Sequence, residues 1–84
     1  MDMQLLSSHP HVTGSRATLK AIEKRKATMV FLAADAEKRI VQPLREACLR
    51  QGIAVVETPT MQSLGRAACL DVPAAAAAII NSSI

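Results

Sequence analysis

Apolar residues along this chain fall into short runs and periodic segments that alternate between the two regular structures. In residues 15–24, SRATLKAIEK, Leu19 and Ile22 lie on one side, polar and basic residues fill the rest, and Gly14 and Ser15 stand ahead of them. With Ser15 as N-cap, this predicts a helix of about three turns. Residues 28–33, TMVFLA, are a continuous apolar run with β-branched and aromatic members, which predicts a buried strand stopped by Ala34 and Asp35. Asp35 then offers an N-cap. Pro43 interrupts residues 36–51, because an interior proline removes a helical hydrogen bond and clashes with the preceding turn. The stretch therefore divides into a helical turn over 37–41 and a helix that opens at Pro43 and ends before Gly52. Residues 53–57, IAVVE, are a second strand, and Pro59 and Thr60 cap a further helix over 61–68.

In the last segment, residues 73–81, propensity and topology disagree. Alanine is the best helix former, yet Pro73 ahead of the alanine run and the alternation of the earlier elements favour a last strand beneath a helix. The order helix, strand, helix, strand, helix, strand predicts an α/β protein, a three-layer α/β/α sandwich with a small mixed sheet, as one domain over 1–84 with 1–10 irregular. Gly65, inside the helix over 61–68, costs about 1 kcal/mol relative to alanine. Tight packing accounts for it, and so does close approach of a ligand.

Composition narrows the functions open to such a sandwich. The chain has 84 residues, of which 50% are hydrophobic, but only 1% are aromatic, the single residue being Phe31. A stacking platform for bases and an aromatic cage for cations are thereby excluded. The formal charge of +3 is a mild basic lean that names no partner by itself. No apolar stretch approaches the roughly 20 residues of a membrane helix, and the start of the chain lacks the basic region of a secretory signal. Cys48 and Cys69 have neither CxxC spacing nor clustered histidines, so both read as buried reduced thiols of a cytoplasmic protein rather than as metal ligands. His9 and His11 flank Pro10 in an irregular segment and read as solvent residues.

The placement of charge says more than its total. Arg16, Lys20 and Lys24 recur at i, i+4 and i+8, so they form one line along the first helix. Like charges at that spacing repel, and Arg16 in the first turn opposes the helix dipole. Free amides at Gly14, Ser15 and Arg16, together with the dipole and the basic line, make an anion site for which phosphate is the obvious occupant. A solvated basic face accounts for the same residues. Arg25 and Lys26 extend the cluster past the helix end. By contrast, Lys38, Arg39, Arg45 and Arg50 are interspersed with Glu37 and Glu46 and read as ordinary surface. A second feature is Leu70, Asp71 and Val72, a loop whose apolar residues either plug the core or pack on an extruded base. No catalytic constellation is present: Asp35, Glu57 and Asp71 lie at different element ends without a histidine between them, and no GxSxG, P-loop or GxGxxG occurs. A non-enzymatic protein without cofactor or metal is expected.

Two strings, Gly14-Ser15-Arg16 through Lys20-Ala21-Ile22 and Leu64-Gly65-Arg66-Ala67-Ala68 running into Leu70-Asp71-Val72-Pro73, resemble the kink-turn RNA-binding ribosomal protein family, the L7Ae and L30e type. The short bacterial members are the most similar, and the resemblance runs from Val12 to Asn81. It implies an α/β/α sandwich in a monomeric, ribosome-associated cytoplasmic protein whose partner is kink-turn RNA, ribosomal RNA being one source. Carried over by position, Gly14 and Ser15 supply backbone and hydroxyl donors to the sheared G·A pairs. Arg16 sits where an asparagine or lysine reads guanine, Lys20 matches the family lysine, and Lys24 suits a phosphate. Leu70, Asp71 and Val72 match the loop that packs on the extruded bulge nucleotide. Ala17 departs from the family glutamate and removes an acceptor, while Gln62 and Ser63 stand where lysines are frequent. Affinity is then expected to lean on Arg16, Lys20 and Lys24 and to fall steeply with salt. Two other readings fit the same scaffold: a protein-interaction module that docks through Leu70 and Val72, and a small-ligand or nucleotide domain.

Overall fold

The computed structural model describes residues 9–80. Elements follow in the order β1 (His11–Thr13), α1 (Ser15–Glu23), β2 (Ala27–Ala33), α2 (Lys38–Gln51), β3 (Ala54–Thr58), α3 (Met61–Ala67) and β4 (Ala76–Ile80). Residues 1–8 of the segment expected to be irregular, and Asn81 after the last strand, lie outside the described residues.

The strands form one mixed sheet in the order β1-β4-β2-β3. β2 and β3 are parallel, with Val30 opposite Val55, joined by α2 in the crossover that parallel strands require. β4 runs antiparallel to both neighbours, pairing Ala77 with Thr13 on one side and with Phe31 on the other. Neighbouring residues of a strand point to opposite faces, so a strand buried at every position is covered on both. Ala76, Ala77 and Ala78 are each 0% exposed, and Val30, Phe31 and Leu32 are as well. α1 and α2 pack against each other over one face and α3 over the other, which gives the expected three-layer α/β/α sandwich. The alanine run is therefore a central strand: its own propensity is helical, but small side chains between two helical layers let both approach closely.

Five expectations are corrected. His11, read with His9 as a solvent residue of an irregular stretch, begins β1, just past the segment 1–10; the three half-buried residues of this strand carry no periodic signal and pair with β4. The N-cap of α1 is Gly14 rather than Ser15. Its amide donates to the Ala76 carbonyl at 2.8 Å, its own carbonyl accepts from Thr18 at 3.0 Å, and φ 93, which favours glycine, turns the chain from strand into helix between those two bonds.

α2 runs unbroken through Pro43. The proline lies on the exposed side, and Val41, Leu44, Ala47 and Cys48 form a buried stripe that holds the helix together across it. Nor does Asp35 cap this helix, whose N-cap is Glu37 without a side-chain bond. Asp35 accepts instead from the Met61 amide at 2.8 Å, which helps to cap α3 across the sheet end. There Thr60 and Ser63 close a capping box, as the Thr60 signal predicted. Finally, Cys48 is buried but Cys69 is exposed. α3 stops at Ala67, and Cys69 takes a left-handed φ of 64 beyond it, which carries its side chain off the helix toward solvent.

Candidate nucleic-acid interface

The two segments singled out by sequence meet the same end of the sheet. Gly14 is bonded to Ala76, and Ala33 donates to the Ala75 carbonyl at 3.0 Å, so the β1–α1, β2–α2 and α3–β4 connections converge there. Around the start of α1, Gly14, Ser15, Arg16 and Lys20 line one open depression with Thr13 and Ala17. Thr18 makes the first intrahelical bond, which leaves the amides of Ser15, Arg16 and Ala17 without an acceptor inside the helix. Gly14 contributes conformation rather than a donor, since its amide is already used. Arg16, Lys20 and Lys24 are exposed along the helix, while Thr18, Ala21 and Ile22 on the other side are buried.

Leu70, Asp71 and Val72 line a separate cleft with Gln62, Arg66 and Pro73, sharing no residue with the first. Leu70 is half-buried against the core, whereas Val72 is 61% exposed. The segment is fixed from beneath. Leu70 donates to the Gly65 carbonyl at 2.9 Å, Ala74 donates to the Met61 carbonyl at 3.0 Å, and the Val72 carbonyl lies directly over Gly65. The glycine thus serves close packing of backbone on backbone, which holds an apolar side chain out to solvent at the loop tip.

Two cations that sequence reasoning gave no role enter these surfaces. Arg66 lines the cleft below Val72. Arg39, from the start of α2, lines a groove together with Ser15, Arg16 and Leu19. Arg39 also pairs with Glu37 at 3.3 Å, and it was this adjacency of opposite charges that made it look like plain surface. The available signal was its place in the helical turn expected over 37–41, but the sequence does not show that this turn lies beside the start of α1. Arg45 fits the ordinary-surface reading, since it is ion-paired to Glu57.

The description "Ribosomal protein L7Ae/L30e/S12e/Gadd45 family" belongs to a family model that matches residues 3–83. An RNA-binding protein of Caldanaerobacter subterraneus subsp. tengcongensis is 45% identical over 67 residues, spanning 80% of this chain and 82% of that protein. The large ribosomal subunit protein eL8 of Halobacterium salinarum is 44% identical over 68 residues, 80% of this chain and 57% of its own length. Among solved structures, a 15.5kD RNA binding protein of Giardia lamblia superposes with a TM-score of 0.85 at 31% identity, covering 96% of this chain and 69% of that one. On the match across nearly its whole length, the chain belongs to the ribosomal protein L7Ae/L30e/S12e/Gadd45 family.

Proposed function

We propose that this protein is a non-enzymatic RNA-binding protein that recognises kink-turn RNA as a cytoplasmic monomer and associates with the ribosome. The observation that carries the reading is the pairing of two unlike surfaces at one end of the sheet. One is a cationic helix start with unsatisfied amides, and the other is a rigid loop that presents Val72. A straight duplex offers phosphates to the first and nothing to the second; a kinked duplex with an extruded nucleotide engages both. Relatives named as RNA-binding proteins, and one named as a large ribosomal subunit protein, support this assignment.

In this reading Gly14 shapes the helix start, and Ser15 and Arg16 face the paired bases at the kink. Lys20 and Lys24 neutralise phosphates, and Leu70, Asp71 and Val72 receive the unpaired nucleotide. Arg16→Ala and Lys20→Ala are each expected to weaken binding to a kink-turn duplex by about 1–3 kcal/mol without unfolding the protein, since both side chains are exposed. Fluorescence anisotropy against a kink-turn and a straight duplex of equal length is the test. Equal affinity of the parent for the two RNAs would sink the kink-turn reading and favour a merely electrostatic binder.

A further inference from the structure

The far end of α1 carries a second concentration of positive charge. Lys20, Lys24 and Lys26 line a shallow hollow floored by Val12, Ala21 and Ile80, between the helix and the sheet edge formed by β1. No carboxylate lines it, and Glu23 is the one acid of α1. Arg25 stands in the same turn. Lys24, Arg25 and Lys26 are all exposed, and none has an ion-pair partner among the described residues.

The backbone of this turn is a Schellman motif. Lys26 donates to the Ala21 carbonyl at 2.9 Å and Arg25 to the Ile22 carbonyl at 3.0 Å, so Arg25 occupies the left-handed position after the cap with φ 59. A cation after the last turn is favoured by the helix dipole, and that alone accounts for Lys24. It does not account for Arg25, because glycine is the least costly residue at such a φ and the chain places a long cation there. The apolar floor also reduces the share of water around an anion brought against the lysines, which strengthens their attraction for it.

We propose that Lys24, Arg25 and Lys26 form a clamp for the phosphate backbone of a regular RNA stem, a second contact on the same RNA that does not read its sequence. This rests on the RNA-binding reading above. α1 is nine residues long, about 14 Å, so a stem leaving the kink along this flank meets the clamp within one helical turn.

The experiment compares the parent with Lys24→Gln/Arg25→Gln/Lys26→Gln on a kink-turn RNA with full stems and on RNAs with each stem cut back in turn. On full-stem RNA the triple variant is expected to bind about ten-fold or more weakly, with a log–log salt slope smaller by about 2. On one of the two shortened RNAs that difference should shrink to the loss that Lys24→Gln alone gives. Parent-like binding of full-stem RNA, or the same loss on every RNA, overturns the clamp. Arg25→Gly separates function from folding: its melting temperature should rise while its affinity for full-stem RNA falls, and unchanged affinity removes Arg25 from the proposal. Should the parent bind kinked and straight RNA alike, the kink-turn reading fails separately, and the parent and triple variant on straight duplexes of two lengths then decide the clamp on the same criterion.

Discussion

Gly65 does its work through the side chain it lacks. A Cβ at this position would stand 2.1 Å from the Val72 carbonyl oxygen and 3.1 Å from its carbonyl carbon, both of them backbone atoms of a segment tied down on either side. Helix propensity favours alanine here by about 1 kcal/mol, but an overlap of that depth against backbone forces the loop to move. Gly65→Ala should therefore lower stability by about 1–3 kcal/mol in urea denaturation, and also weaken RNA binding, because the Val72 tip is displaced. A variant that keeps both parental values would show that the loop is free to slide and that its position does not matter. From sequence, Gly65 was visible as an anomaly inside a helix, but its partner was not. The backbone of residue 72 comes to lie over it only after the chain has reversed at Cys69, and side-chain patterns carry no record of such a close approach.

Among the elements, α2 shows packing overriding a local signal. Pro43 removes the amide that would bond the Arg39 carbonyl, and on sequence grounds it splits the segment into two pieces. It fails to do so because residues on both sides of it contribute to one buried stripe, Val41 before and Leu44, Ala47 and Cys48 after, and the freed carbonyl is on the exposed side. The local cost remains in the folded state. Pro43→Ala restores the hydrogen bond, and the roughly 3 kcal/mol that separates the two residues in a helix interior is only partly offset by the looser unfolded chain. A net gain of about 1–2 kcal/mol is expected, seen as a higher urea midpoint at unchanged m. A lower midpoint would mean that the proline itself is needed to seat Leu44. The same contrast explains which elements were legible. β2, β3 and α3 declare themselves by apolar runs and a capping signal, and the alternation around it made β4 a strand. β1 has three half-buried residues, of which Val12 packs on the core, and its strand form comes from long-range pairing with β4.

For the molecule as a whole, that pairing of β1 with β4 assembles the candidate site. Thr13 opposite Ala77 brings the start of α1 to the end of the sheet where the α3–β4 loop emerges, although the two segments are more than fifty residues apart in sequence. Each half was readable alone, from Arg16, Lys20 and Lys24 in one line and from Leu70 and Val72 around Asp71; their convergence required β1, the element that patterning missed. The two cysteines offer a way to ask whether RNA spans both halves. Cys48 is fully buried, and burial pushes its thiol above the usual range, with Arg45 opposing weakly, so the native protein should shield it from thiol reagents. Cys69 is exposed, one residue before the Leu70–Val72 tip. Native protein should thus react rapidly at one thiol and at the second only after unfolding. Saturating kink-turn RNA should slow the first reaction several-fold if the extruded nucleotide seats on the loop, because the reagent must then wait for dissociation. If RNA lies only along α1, Cys69 will react at its free rate even at saturation, and the loop leaves the site while the helix remains in it.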